Sequence, residues 1–308
     1  MRIRVSKLTL GKIILIEQQL KETFLAYVLS TYDSYDTVQT YRYPLDRFLK
    51  FLADEKIKRV QDVSSGTIEQ YRLSLIKDDF KSASLEVYLR TIKLFFKYLE
   101  DEGIIFDNPT TGMIIPKVIK KLQYVPTVKE MDIFLDIDVS TKERLRNKAL
   151  FETAYSTGAR RNELRMVDIK DLDLINEELK VMGKGKVERI VPIGRTAIYW
   201  LKKYITEARK MWIKDEDNEE ALFLARRGNR ISKQGIQKQV EYQRKESKTK
   251  VTMHSMRRAC ATHMLTNGAS PMVIQELLGH STLKHLSQYL DVSITDLKRM
   301  HTKSVVNR

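Results

Sequence analysis

At 308 residues the chain is long enough for two domains with separate cores, and its 42% hydrophobic and 31% charged side chains exclude wholesale disorder. Its single cysteine, Cys260, excludes an intramolecular disulfide framework and fits a reducing cytosol. The longest apolar run near the N-terminus, residues 13–16, is far short of the roughly 20 residues of a membrane span, and no secretory cleavage site follows it.

Charge supplies the first functional indication. Fifty-five Lys and Arg stand against 40 Asp and Glu, a formal charge of +15, which points to a polyanionic partner. Residues 1–125 hold 20 basic and 16 acidic side chains and the remainder 35 and 24, so the C-terminal part carries most of the excess. Nucleic acid fits, because Lys and Arg neutralise phosphates and release counterions. A solvated basic surface is the alternative from charge alone. An anionic membrane surface fits less well, since the basic residues are dispersed rather than gathered on one amphipathic helix.

The first third reads as four helices. Residues 17–30 form a short amphipathic stretch. Tyr41, Leu45, Phe48, Leu49 and Leu52 then recur at three- and four-residue steps on one helical face. Ser64 can cap a third helix containing Ile68, Tyr71 and Leu75. Ser84 precedes a fourth, with a stripe of Leu85, Tyr88, Ile92, Phe95, Phe96 and Leu99 that Gly103 ends. At this spacing the aromatics read as core rather than as a base-stacking platform. Asn108-Pro109-Thr110-Thr111-Gly112, then Pro116, the basic Lys117, Lys120 and Lys121, and Pro126 mark a linker. The expected division is therefore a helical domain over 1–110, a linker over 111–126, and a second domain over 127–308.

The second domain is mixed. Helical patterns cover 142–157 and, briefly, 161–167. Residues 179–182 and 187–191 are β-prone runs joined by Gly183-Lys184-Gly185-Lys186, a hairpin whose turn presents a lysine. Helices follow from 195 to about 213, and again from Ser232, His254, Pro271, Ser281 and Ile294 onward. No tandem repeat or low-complexity tract occurs.

Five segments stand out: Thr157-Gly158-Ala159-Arg160 with Glu163 three residues on, Gly183-Lys184-Gly185, His254-Ser255-Met256-Arg257, Leu278-Gly279-His280, and Tyr289. Each alone has an ordinary reading: a helix start with a surface arginine, a solvated turn, two polar residues sharing a helix face, one tyrosine of fourteen in packing. Their order and spacing together resemble the tyrosine recombinase family, which includes phage integrases and the Xer chromosome-dimer resolvases. The run from His254 to His263 resembles the family's His-x-x-Arg box. The run from Gln275 to His280, with Tyr289 nine positions on, resembles its nucleophile segment, and Gly183 to Pro192 its β-turn. There are departures. Ala159 stands where the family commonly has leucine, Arg258 where it often has histidine, and residues 283–287 lack the usual threonine-rich approach to the tyrosine.

The resemblance implies a mainly α fold with a small β-sheet (α+β). An N-terminal SAM-like four-helix core-binding domain and a C-terminal catalytic domain would form a clamp around DNA. It implies site-specific cleavage and rejoining through a 3′-phosphotyrosine, without metal, nucleotide or other cofactor. Tyr289 would be the nucleophile. Arg160 and Arg257 would present planar guanidinium forks to the nonbridging oxygens, and His280 a third donor. Lys184 would protonate the departing 5′ oxygen. His254 would manage the tyrosine proton or the phosphate charge, and Glu163 would support the active-site histidine and arginine from behind. Implied partners are double-stranded DNA with inverted-repeat core sites, three further copies in a synaptic homotetramer, and accessory DNA-bending proteins. The free chain would be a monomer or weak dimer in the cytoplasm, with no membrane partner. Ile294, Leu297 and Met300, at helical spacing in a polar tail, would dock on a neighbouring protomer or pack against their own domain. His263 reads as a packing residue, and His285 and His301 as surface or capping groups. The five histidines and one cysteine lack zinc-ligand spacing. Two other classes compete: a type IB topoisomerase, and a non-catalytic sequence-specific DNA-binding relative.

Overall fold

A computed structural model of the protein describes residues 7–116, 123–183, 187–213 and 220–279. The chain divides into two compact units, residues 1–120 and 121–308.

The first unit is helical: α1 (Lys7–Tyr32), α2 (Tyr35–Asp54), α3 (Ser65–Lys77) and α4 (Ser82–Asp101). Ser34 and Ser64 start α2 and α3 by accepting from the N–H of Thr37 and Thr67, which relieves donors that have no partner inside the helix. Helix α1 begins ten residues before the expected stretch, with no proline between residues 7 and 32 to interrupt it. Helix α4 begins at Ser82 without a side-chain cap, so Ser84 lies in its first turn rather than ahead of it. Phe48 sits at the centre of this core, its ring edge-on to Tyr71 at 4.9 Å and to Phe96 at 5.8 Å, and all three are fully buried. Gly103 ends the α4 turn at φ +66°, and Met113 and Ile115 return to pack on the same core.

The second unit surrounds α6 (Lys142–Thr157), which is buried on nearly all sides. Helix α5 (Val128–Leu135) and α7 (Arg161–Met166) flank it in sequence. An antiparallel sheet follows, in the order β1 (Leu172–Asp173), β2 (Glu178–Met182), β3 (Glu188–Pro192). The register sets Leu179 opposite Val191 and Val181 opposite Arg189, with Leu179, Val181 and Val191 turned into the core. Helix α8 (Arg195–Lys203) then runs into a π-turn at Tyr204–Ala208 and a 3₁₀ turn at Arg209–Met211. The regular helix expected to about residue 213 thus gives way early, first to a wider π turn and then to a tighter 3₁₀ turn. Buried Arg209 donates from Nε and Nη2 to the carbonyl of Ala221, holding that turn to the next segment. Helices α9 (Lys233–Glu246), α10 (Met253–Thr266) and α11 (Pro271–Leu278) complete the described part. The helices expected from Ser281 and Ile294 lie outside the described residues.

Candidate active site

The site grows from the end of α6. Gly158 closes that helix in the left-handed conformation, φ +61°, where a side chain is strained. A Cβ there would also come within 2.7 Å of Leu278 Cδ2 and 3.3 Å of Cys260 Sγ, so the α6–α7 turn, α10 and α11 meet at a point only glycine fits. Ala159, the small residue at a position commonly leucine in the resembled family, is buried beside it. Arg160 follows as the N-cap of α7, with its backbone N–H held by Glu163 Oε2 at 2.8 Å.

Glu163 is the hub of one side of the site. Its side chain is 4% exposed, and its Oε1 accepts from Arg160 Nη1 at 2.7 Å. Arg189, from β3, donates to the same carboxylate through Nη1 at 3.2 Å and Nη2 at 2.8 Å. Burial alone would raise the Glu163 pKa. The hydrogen bonds from Arg189, from the Arg160 N–H and from the Arg160 side chain outweigh it and bring the pKa to about 2. Glu163 is thus a fixed negative charge. The Arg160 side chain remains 39% exposed.

The other side is built on α10. Thr252 caps that helix, accepting from Ser255 N–H while the Ser255 hydroxyl accepts from Thr252 N–H. His254 and Arg257 lie one turn apart on it. Arg257 is 2% exposed; its Nη1 donates to the carbonyl of Gly158 and its Nη2 to that of Leu278, both at 2.7 Å. His254 is exposed as a residue, yet its ring is close enough to packed groups to lose part of its hydration. Its pKa is lowered, first by desolvation, then by the positive charges of Arg258, Arg257 and Arg160. Those three arginines therefore lie near enough to oppose a positive charge on the imidazole. Arg258 is buried too, donating to the Tyr124 carbonyl and to Gln123 Oε1, each at 3.0 Å. It holds the chain leading into this unit.

Two arginines also finish α11. The last carbonyls of a helix lack partners inside it, and here Arg189 Nε takes that of Leu277 at 2.9 Å while Arg257 takes that of Leu278. Gly279 then turns the chain at φ +62°, against the Arg189 side chain. His280, the next residue, lies outside the described residues, as do Tyr289, Lys184, His285, His301 and the tail containing Ile294, Leu297 and Met300. The described ends of the lysine turn are joined, Gly183 N–H donating to the Val187 carbonyl at 2.8 Å.

The structure therefore brings Arg160, Glu163, His254 and Arg257 to one place. Among the described residues the Glu163 carboxylate hydrogen-bonds Arg160 and Arg189, and neither His254 nor His263. His263 is a packing residue, its Nδ1 2.7 Å from the Tyr155 hydroxyl. Sequence reading passed over Arg189. Its signal was strand alternation: Arg189 shares the inward face of β3 with Val191, and an arginine aimed into a core requires a carboxylate or carbonyls to meet it.

The chain is similar to known proteins over most of its length. The model of the phage integrase family matches residues 126–295, and that of the phage integrase N-terminal SAM-like domain matches 22–103. The tyrosine recombinase XerD of Oceanobacillus iheyensis is 36% identical over 86% of this chain and 91% of its own. The tyrosine recombinase XerC of Salmonella typhi is 34% identical over 87% of each. Among solved structures, the XerH site-specific recombinase bound to difH substrate has a similar fold, with a TM-score of 0.71 and 22% identity over 94% of this chain and 85% of that one. The fold is accordingly an N-terminal all-helical SAM-like domain followed by a mixed α/β catalytic domain, and the chain belongs to the tyrosine recombinase (phage integrase) family.

Proposed function

We propose that this tyrosine recombinase cuts and rejoins DNA at a specific site through a covalent link to Tyr289, in integration or excision of a mobile element or in Xer-type resolution. The observation that carries the reading is the gathering of Arg160, His254 and Arg257 beside the Gly158 turn, with Arg257 also holding the carbonyl of Leu278, two residues before His280. Breaking a phosphodiester requires positive charge around a pentacoordinate transition state. Guanidinium forks held in advance supply it without reorganisation at the moment of reaction.

In this reading the exposed fork of Arg160 meets a nonbridging oxygen. Arg257, held by the carbonyls of Gly158 and Leu278, presents its guanidinium charge from a fixed position. His254, with its lowered pKa, is neutral near pH 7 and can take or pass the tyrosine proton. His280 adds a donor, Lys184 protonates the leaving 5′ oxygen, and Tyr289 attacks. The 3′-phosphotyrosine conserves the energy of the broken bond, so rejoining is nearly isoenergetic. The DNA partner is an inverted-repeat core site, and four copies form the synapse. The tail after residue 293 is the segment exchanged between neighbours. Removing residues 293–308 should then abolish synapsis and spare single-site binding.

The test uses nicked duplexes of randomised sequence, from which the fragment beside the cut diffuses away and traps the intermediate. Wild type should yield detergent-stable DNA adducts on a shared inverted repeat, and Tyr289→Phe none. Adducts without sequence preference would replace this reading with topoisomerase-like relaxation. No adduct from wild type would leave a DNA-binding role instead.

A further inference from the structure

We propose that Arg189 is a positioning residue for strand cleavage: by neutralising Glu163 it leaves the charge of Arg160 available to the scissile phosphate, and it fixes the end of α11 in the same stroke. This rests on the cleavage function proposed above.

The geometry is that of a three-body contact with unequal members. Glu163 is 4% exposed, Arg189 13% and Arg160 39% in their side chains. Two arginines share one carboxylate, so the group carries one surplus positive charge, and the more exposed member is Arg160. Arg189 makes a two-pronged contact with both carboxylate oxygens, whereas the Arg160 side chain touches only Oε1. A bidentate pair is the stronger of the two and takes the larger share of the neutralisation. Without Arg189, the carboxylate would have Arg160 as its sole cation among these three. That pair would be electrically neutral, with Arg160 drawn toward Glu163 and away from an incoming anion.

The remaining nitrogen gives Arg189 its second task. Its Nε donates to the Leu277 carbonyl at 2.9 Å, and a Cβ on Gly279 would lie 3.1–3.2 Å from its Cδ, Nε and Nη1. The one guanidinium therefore couples β3, the N-terminus of α7 and the last turn of α11. Lysine can supply the charge of this residue but not the three directions at once.

The experiment measures adduct formation on the nicked recombination site, together with thermal melting, for Arg189→Met, Glu163→Gln, their double variant and Arg189→Lys. Arg189→Met should slow cleavage about a hundredfold, within the range for losing one preorganised donor. Glu163→Gln placed on top of it removes the uncompensated carboxylate and should restore the rate at least tenfold. A double variant as slow as Arg189→Met would overturn the proposal, since a purely mechanical brace cannot be mended by neutralising its partner. Should Arg189→Met fail to melt cooperatively, Arg189→Lys decides: it keeps the charge and should lose less than tenfold, and a hundredfold loss in a folded protein would overturn the charge argument. Failure of this inference is distinct from failure of the recombinase reading, which would show as no adduct from wild type.

Discussion

Arg257 Nη1 donates to the main-chain carbonyl of Gly158 at 2.7 Å, joining α10 to the left-handed turn between α6 and α7. Its Nη2 reaches the Leu278 carbonyl at the same distance, so one buried side chain spans two backbone segments that carry candidate site residues. An arginine anchored in this way cannot swing, so its charge is fixed in place before any substrate arrives. Arg257→Lys keeps the charge but has one nitrogen for two carbonyls. Cleavage of a nicked site should fall about 10²- to 10³-fold with DNA binding largely kept. A rate within tenfold of wild type would show that charge alone suffices at this position.

Gly158→Ala tests the same junction from the backbone side. The left-handed conformation costs alanine about 1 kcal/mol, and here the new methyl also meets Leu278 Cδ2 at 2.7 Å. Gly103→Ala, with φ +66° and nothing within 4 Å, meets only the conformational cost. The expected losses are about 3 kcal/mol at Gly158, where overpacking adds to strain, and about 1 kcal/mol at Gly103, read from urea unfolding midpoints. Equal losses would mean that α11 yields to the methyl and that the junction is not close-packed.

How far the sequence could be read follows from how local each cause is. Ile68, Tyr71, Leu75, Phe95 and Phe96 declare a buried helix face by spacing, and all are buried in the structure. The hairpin was legible because glycines punctuate two β-prone runs. Helix α5 went unread although Thr127 and Glu130 form a capping box, Thr127 N–H donating to Glu130 Oε2 at 2.8 Å: eight residues give too short a stripe to register as periodic. In the site, Arg160, His254 and Arg257 stood out through the family motifs that contain them. Arg189 did not, since its partners Glu163 and Leu277 lie 26 and 88 residues away. Nothing local forecasts a contact of that separation. The same holds for Arg258, whose partners Tyr124 and Gln123 precede it by 134 and 135 residues.

Glu163 gives stability a defined acid limb. Its pKa falls from 4.5 to about 2 on folding, so its contribution is complete above pH 4.5 and is lost as pH falls toward 2. With the side chain almost wholly buried, that contribution is on the order of 3 kcal/mol at neutral pH. Urea midpoints measured from pH 6 to pH 2.5 should therefore fall more steeply for wild type than for Glu163→Gln. The two curves should approach one another at the acid end, because a protonated Glu163 resembles glutamine in charge. Parallel curves would show that the unfolded chain holds this carboxyl as strongly as the folded one.

His263 acts in a higher pH window. Its ring meets the Tyr155 hydroxyl at 2.7 Å and stands edge-on to the Tyr155 ring. Burial lowers its pKa from 6.5, opposed only in part by a hydrogen bond to the Pro126 backbone and the charge of Asp132. A lowered pKa means that the folded protein holds the neutral ring while the unfolded chain protonates. The stability due to this residue is thus complete above pH 6.5 and declines as pH falls below it. His254 shifts in the same direction and contributes to the same decline, so a bulk melting curve would mix the two. Following the ring proton resonances of each histidine by NMR separates them. His263 should titrate below 6.5, and His263→Asn should flatten part of the stability decline between pH 7.5 and 5.5 while leaving the His254 titration in place. A His263 midpoint above 6.5 would mean that Asp132 outweighs burial, and that this histidine stabilises the protonated rather than the neutral fold.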